Sequence, residues 1–252
     1  MILTYHEIVP EYSPYLYSVT SRQFESHLRL IDELMRSAEA GISPPRLTFD
    51  DGHASHRRYG LPLLEKYSLH GAFFVTAGWA GTRSEFMTWT ELKQLTALGH
   101  EVQSHGLSHK LLTLCSDCEL QQETLHSKQI LEDKLGTAID SLAAPGGRWN
   151  ARVLEACAKA GYKHVYVSEP WIGPQVRNRV ELQGRWSVRR TMDSEQLRRM
   201  LNRKSEGFSK LRAQHRVKQI VKLVLGERTY DRLWCWLAAD AQREQINKAY
   251  VS

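Results

Sequence analysis

Cysteine is scarce in this chain. Four cysteines among 252 residues are too few to indicate a disulfide framework in a chain of this length. Cys115 and Cys118 form one CxxC pair, but they lie at the start of a predicted amphipathic helix. We therefore interpret them as structural residues rather than as a metal or redox site.

Long apolar runs are also missing. No uninterrupted apolar stretch reaches the roughly eighteen residues of a membrane-spanning helix, so we expect none. Met1 to Tyr5 is strand-like and carries no basic, then apolar, then small-residue leader. For a complete chain, this predicts a cytoplasmic protein, with the inner-membrane surface as an alternative location.

Nucleic-acid motifs are absent as well. The sequence has no zinc finger, RNA-recognition signature or glycine-rich phosphate loop, and we predict no nucleic-acid partner. The net charge of +6 favours anionic partners without identifying them. A content of 42% apolar and 25% charged residues is typical of a soluble enzyme domain.

Two pairs of polar residues stand out against this background. Asp50 and Asp51 end a short apolar run, and His105 and His109 follow about fifty residues later. Two imidazoles and one carboxylate are sufficient protein ligands for a catalytic zinc ion, and the second carboxylate is left for proton transfer. Each pair alone is better explained as a turn or a helix start. Their joint occurrence at the ends of predicted strands favours a metal site.

Strand-like and helix-like segments alternate along the chain, which predicts parallel strands joined by helices. Seven such units predict an α/β fold, a distorted (β/α)7-type barrel. Active sites of barrel enzymes lie in the loops after the strands, and the candidate residues follow predicted strands. The predicted strands are Ile2 to Tyr5, Arg46 to Phe49, Gly71 to Val75, His100 to Gln103, Ser141 to Ala144, His164 to Val167 and Trp186 to Val188.

The ordered pair of motifs resembles a known family. Thr48-Phe49-Asp50-Asp51-Gly52, followed by Ser104-His105-Gly106-Leu107-Ser108-His109, is similar to the polysaccharide deacetylase family, also called NodB-homology or family 4 carbohydrate esterases. Leu3-Thr4-Tyr5-His6 and Ala143-Ala144-Pro145-Gly146-Gly147 also resemble family segments. The likeness covers roughly the first 190 residues and implies the same barrel.

The resemblance implies a role for each matching residue. Asp50 would be the general base, and Asp51, His105 and His109 would bind one divalent metal, with zinc preferred for these ligand types. The backbone N–H of Gly146 would stabilise an oxyanion. Within the other two segments, Tyr5 and Pro145 are assigned to substrate binding. The implied reaction is hydrolysis of N-acetyl groups on a polysaccharide or a lipid-linked amino sugar during envelope or exopolysaccharide synthesis.

This chain departs from the family pattern in the third motif and in the general acid. The third motif differs at two positions. Ala143 stands where the family has an arginine that pairs with the base, and Gly146 stands where it has an aromatic residue. Of the arginines that could replace the missing one, Arg189 is favoured because it follows a predicted strand; the others are Arg148 and Arg185.

The second departure concerns the general acid. No late Leu-x-Leu-His segment is present to supply it, and His6 or Glu169, each following a predicted strand, could take its place. These departures leave open an alternative, a catalytically impaired carbohydrate-binding or scaffold protein with the same fold.

The chain is predicted to have two parts. Residues 1–202 form the barrel, and residues 203–252 form a basic, amphipathic helical extension. Packing of this extension on the barrel is the simpler interpretation. The alternative is a helix resting on an anionic membrane surface, which would suit a lipid-linked glycan.

Overall fold

A computed structural model describes residues 1–37 and 44–201. The strands are β1 (Ile2–Tyr5), β2 (Glu7–Val9), β3 (Ser18–Thr20), β4 (Arg46–Phe49), β5 (Gly71–Val75), β6 (Glu101–Ser104), β7 (Ser141–Ala143), β8 (His164–Val167), β9 (Gln175–Arg177), β10 (Val180–Gly184) and β11 (Trp186–Ser187). The helices are α1 (Ser21–Arg36), α2 (Leu61–Lys66), α3 (Trp89–Ala97), α4 (Asp117–Gln121), α5 (Ser127–Leu135), α6 (Ala151–Lys159) and α7 (Ser194–Leu201). The seven predicted strands are confirmed, some with ends shifted by one residue.

The main sheet has nine strands in the order β11-β1-β4-β5-β6-β7-β8-β10-β9. Its neighbours pair in parallel except β9, which is antiparallel to β10. Arg185 alone separates β10, which pairs with β8, from β11, which pairs with β1. One run of chain therefore links the strand beside β8 to the strand beside β1. The predicted distorted (β/α)7-type barrel is confirmed.

The sequence pattern explains the helices around the barrel. Phe24, Leu28, Ile31 and Leu34 recur at helical spacing and form the buried stripe of α1. Thr88 begins α3 with a capping box to Glu91, and Ser116 begins α4 in the same way with Glu119. Glycines with positive φ follow α3 and α6, at Gly99 and Gly161.

The two faces of the barrel sheet are packed differently. Leu3, Tyr5 and Phe49 belong to the large apolar core between the strands and the helices. Side chains alternate along each strand, so Thr4 in β1 and Thr48 in β4 face the barrel interior. There, Thr4 and Thr48 hydrogen-bond at 2.9 Å. The interior also contains a small aromatic and alanine group, Ala72, Phe74, Ala143 and Tyr166.

Four strands were not predicted. β2 and β3 form a separate parallel pair, and β9 and β10 extend the main sheet after β8. β2, β3 and β9 are three residues long, too short to show a clear alternation of apolar and polar residues.

Within residues 1–37 and 44–201, no helix has both the length and the apolar character required to cross a bilayer. The predicted extension, residues 203–252, and its predicted membrane contact lie outside the described residues.

Candidate metal centre

The turn after β4 brings Asp51 to the edge of the barrel. Successive side chains of an extended strand point in opposite directions, so Asp50 and Asp51 can share one site only if the strand ends between them. Asp51 has φ 71° and Gly52 has φ 77°, both left-handed. A Cβ at Gly52 would lie 3.1 Å from a methyl group of Val75, so the turn also requires a close approach.

The two histidines come from the segment that follows β6. His105 is buried, and its Nδ1 lies 2.8 Å from the carbonyl oxygen of Ala143. We assign the proton to Nδ1, which leaves the Nε2 lone pair free to bind a metal. His109 has φ 63°, and its ring stacks on Trp79 with 5.2 Å between centroids.

Asp51, His105 and His109 each offer one ligand atom, and these atoms lie within 4.8 Å of one another. Asp51 Oδ1 is 3.3 Å from His105 Nε2 and 3.2 Å from His109 Nε2. No donor is aligned on this buried oxygen within the described residues. Burial raises the pKa of Asp51, but in the metal-free site the two imidazoles, when protonated, outweigh burial and bring this pKa well below its ordinary value. A buried oxygen without a hydrogen bond, facing two ring nitrogens, fits a divalent metal.

A buried acid supports the segment that carries the histidines. Glu123 lies in a short π-helical turn between α4 and α5 and is 3% exposed. Its carboxylate accepts hydrogen bonds from the backbone N–H groups of Leu107 and Ser108 at 2.8 and 3.0 Å, and from the Ser108 hydroxyl. These charge-assisted bonds fix the loop between the two imidazoles.

Asp50 has a different partner. Arg185 Nη1 and Nη2 donate to Asp50 Oδ1 and Oδ2, each at 2.7 Å, in a bidentate pair. Both side chains are almost fully buried, and the guanidinium also lies against the rings of Phe74 and Tyr166. Burial raises the pKa of Asp50, but the charge of Arg185, assisted by that of His105, outweighs burial and lowers this pKa below its usual value.

This pair corrects the choice of Arg189. The guanidinium that faces Asp50 belongs to Arg185, which lies between β10 and β11 and points into the barrel. Arg189 lies beyond the end of β11, where its backbone carbonyl accepts a hydrogen bond from Gln23. Arg185, between β10 and β11, thus gives Asp50 the cationic partner that Ala143 does not provide.

The prediction that Tyr5 binds substrate is wrong. Tyr5 is fully buried in the outer core, stacked on Phe49, with its hydroxyl 3.2 Å from His27 Nδ1 on α1. It faces away from the barrel interior because it alternates with Thr4. Burial lowers the pKa of His6, the next residue, although the charges of Asp50 and Asp51 oppose the shift, and its Nδ1 is buried without a hydrogen bond among the described residues.

Three further candidates lie after β7 and β8. Pro145 and Gly146 belong to a 3-10 turn after β7, where Pro145 is buried and Gly146 has φ 63°. This positive φ favours glycine, and a Cβ at Gly146 would lie 2.7 Å from a terminal methyl group of Leu111. Glu169 follows β8 and accepts a hydrogen bond from the Trp149 indole at 3.0 Å. Their roles stay predictions.

Two residues at this site were not predicted from sequence. Glu123 and Trp79 hold His109 and its loop, but neither belongs to the quoted motifs. The sequence did contain a signal for Glu123. This acid lies in the mainly polar helical segment between Leu120 and Leu131, on the face that those two leucines bury. Trp79 follows β5 closely, which is the position where barrel sites form.

The chain resembles known deacetylases in sequence. Residues 42–165 match the family model described as polysaccharide deacetylase. A chitooligosaccharide deacetylase of Bradyrhizobium sp. (strain ANU 289) is 30% identical over 142 residues, which cover 54% of this chain and 63% of the relative. A peptidoglycan-N-acetylglucosamine deacetylase of Bacillus cereus is 29% identical over 138 residues, covering 52% of this chain and 62% of the relative. The chain thus spans a little under two thirds of the length of these curated relatives.

Solved structures share the fold. The Streptococcus pyogenes deacetylase PplD, in complex with acetate, superposes with a TM-score of 0.68 at 23% identity and covers 80% of this chain and 97% of that chain. The Bacillus cereus polysaccharide deacetylase BC0361 gives a TM-score of 0.67 at 19% identity, covering 80% of this chain and 68% of that chain. These structures show that the fold is shared, and the match of residues 42–165 together with the paired motifs shows that the chain belongs to the polysaccharide deacetylase family.

Proposed function

We propose that this protein hydrolyses N-acetyl groups of a glycan in a metal-dependent reaction. The observation that carries the proposal is the convergence of Asp51, His105 and His109 beside a second carboxylate, Asp50, that has its own cationic partner. The names of the chitooligosaccharide and peptidoglycan relatives support an N-acetylated glycan as the substrate.

Asp51, His105 and His109 would hold the metal, and zinc suits one carboxylate oxygen and two imidazole nitrogens. A divalent cation there supplies Lewis acidity, which polarises the amide carbonyl and lowers the pKa of water. The hydrogen bond between His105 and the Ala143 carbonyl orients one ligand, and the stack of Trp79 on His109 orients the other.

Asp50 is proposed as the general base. The lowered pKa keeps its carboxylate ionised at neutral pH, so it can accept a proton from the attacking water. Arg185 fixes the carboxylate in one orientation and stabilises its charge. The Gly146 N–H is proposed as the donor to the oxyanion.

The departing amine needs the proton that Asp50 has taken up. His6 is the better placed of the two candidates to carry it, since the register of β1 on β4 places it beside Asp50 and its Nδ1 has no hydrogen bond among the described residues. The carboxylate of Glu169 is already engaged by the Trp149 indole. His6 is therefore proposed as the proton carrier.

Acetate release tests the proposal. The full chain, loaded with zinc, is offered N-acetylglucosamine oligomers and a lipid-linked N-acetylated amino sugar, and acetate is measured. We expect Asp50→Asn to reduce acetate release by about 10²–10⁴-fold while the protein retains its zinc. Asp32→Asn, the same change in an ion pair on α1, serves as the matched control and should remain active.

The experiment also separates the enzyme from the alternative. A protein that binds these glycans but releases no acetate from either substrate class would be a carbohydrate-binding or scaffold protein. The missing late histidine segment favours that alternative, whereas the pairing of Arg185 with Asp50 favours the enzyme. Undiminished acetate release by Asp50→Asn would contradict the assigned base.

A further inference from the structure

The loop of residues 10–17, between β2 and β3, carries aromatic side chains beside the metal centre. β2 begins directly after His6, and the parallel pairing of Glu7 with Ser18 brings the last residue of the loop, Tyr17, back beside His6. The register of β1 on β4, with Tyr5 opposite Phe49, places His6 beside Asp50. The loop therefore ends next to the proposed base.

Two tyrosines continue from His6. The ring of Tyr17 lies 5.0 Å from the ring of His6, and the ring of Tyr15 lies edge-on to that of Tyr17 at 5.7 Å. Burial raises the pKa of Tyr15 well above its ordinary value, and the negative charges of Asp51 and Asp50 add to this effect. The Tyr15 hydroxyl is therefore protonated and can donate a hydrogen bond.

Contacts from the barrel hold this loop in place. The Arg190 guanidinium donates to the Tyr12 hydroxyl at 2.8 Å and to the Pro14 carbonyl at 2.7 Å. The Ser18 N–H donates to the Tyr15 carbonyl at 3.2 Å. A loop fixed in this way loses little conformational freedom when a ligand binds.

The hydroxyl groups of the two tyrosines have no protein partner among the described residues, although hydrogen bonds fix the backbone around them. Tyr15 and Tyr17 are both partly exposed. A half-buried aromatic ring with a polar tip suits a ligand that has an apolar face and hydroxyl groups, as a sugar ring has.

We propose that Tyr15 and Tyr17 form one wall of the glycan-binding site, and that the Tyr15 hydroxyl donates a hydrogen bond to an oxygen of the N-acetylated sugar. This inference rests on the glycan substrate of the proposed function and names residues that contact it. Neither tyrosine belongs to the motifs that define the metal centre.

The test removes one hydroxyl group. Zinc-loaded full chain carrying Asp50→Asn, which prevents turnover, is titrated calorimetrically with an N-acetylglucosamine oligomer, with and without Tyr15→Phe. We expect Tyr15→Phe to weaken binding about tenfold, the typical effect of one lost hydrogen bond. With Asp50 intact, Tyr15→Phe should raise KM about tenfold and leave kcat within about twofold.

Tyr12→Phe is the matched control, because Tyr12 belongs to the same loop but is 76% exposed, and Arg190 still holds the loop through the Pro14 carbonyl when the Tyr12 hydroxyl is removed. It should bind the oligomer like its parent. Equal affinities for Tyr15→Phe and its parent would overturn the proposal, and so would an equal loss in Tyr12→Phe.

The outcomes distinguish this proposal from the proposed function. If the wild-type protein binds the oligomer but releases no acetate, the deacetylase function fails, while a loss of affinity in Tyr15→Phe still supports the wall. If acetate is released and Tyr15→Phe changes neither affinity nor KM, the wall fails and the deacetylase function stands.

Discussion

Asp50 and Asp51 are neighbours in the chain, but their surroundings differ in kind. Both oxygens of Asp50 are engaged by one guanidinium at 2.7 Å, and its side chain is 4% exposed. Asp51 is 21% exposed, and its Oδ1 faces two imidazole nitrogens with no aligned donor among residues 1–37 and 44–201. Both oxygens of one carboxylate are hydrogen-bonded, whereas the other carboxylate has an oxygen that the proposed function assigns to a metal ion.

Backbone geometry produces this difference. Asp50 continues the alternation of β4 and points into the barrel, where the chain between β10 and β11 delivers Arg185. Asp51 adopts a left-handed φ of 71°, which turns its carboxylate toward the histidine segment. Two adjacent carboxylates thus receive separate roles without competing for the same partner.

The largest effect should come from breaking the buried pair. Arg185→Met leaves the Asp50 carboxylate buried without its cation, and we expect the free energy of unfolding to fall by about 3–5 kcal/mol. Urea denaturation measures the loss. The double variant Asp50→Asn/Arg185→Met should lose less than the sum of the single variants, and strict additivity would show that the two side chains are not coupled.

Replacement of Asp51 should hardly change the stability of the metal-free protein and should instead remove its stabilisation by zinc. Asparagine tolerates the left-handed backbone, so Asp51→Asn should change the unfolding free energy of the metal-free protein by less than about 1 kcal/mol. Zinc at 100–1,000 times its Kd should stabilise the wild type by about 3–4 kcal/mol and the variant hardly at all. Thermal unfolding with and without zinc checks this, and equal stabilisation of both proteins would refute the assigned ligand.

His27, a buried histidine of α1, should make stability depend on pH without any contribution from Asp50 or Asp51. Burial lowers the pKa of His27 to about 4, although its hydrogen bond to the Met192 carbonyl opposes the shift. Between about pH 6.5 and 4 the unfolded chain binds the extra proton, so stability falls as pH falls, by up to about 1.4 kcal/mol per pH unit.

His27→Gln should therefore make the plot of unfolding free energy against pH shallower in this range. Urea denaturation at several pH values measures the slope. The same slope in variant and wild type would show that other groups, such as His56 with its pKa of about 3, account for the pH dependence.

The smallest effect concerns the support of the histidine loop. Glu123→Gln weakens the charge-assisted hydrogen bonds to Leu107 and Ser108, and we expect metal affinity to fall about 10–100-fold. Competition titration with a metal indicator measures it. Glu119→Gln on neighbouring α4, an exposed cap residue, is the control and should bind metal normally.

Local patterns predicted seven of the strands and a site of His105 and His109 with one of the two aspartates, and the family resemblance selected Asp51. Each strand is a short apolar run, and parallel strands place the residues that follow them at one edge of the sheet. Chain closure was harder to predict, because Arg185 meets Asp50 across 135 positions and follows β10, a strand that was not predicted. Tyr5 was misassigned because one step along a strand decides which face a side chain takes.

Anomalous diffraction from crystals of the zinc-loaded protein would locate the metal ion. We predict one ion bound by Asp51, His105 and His109, with the Asp50 carboxylate still paired with Arg185 and outside the coordination sphere. An ion bound by Asp50, or an ion bound away from these three side chains, would contradict it.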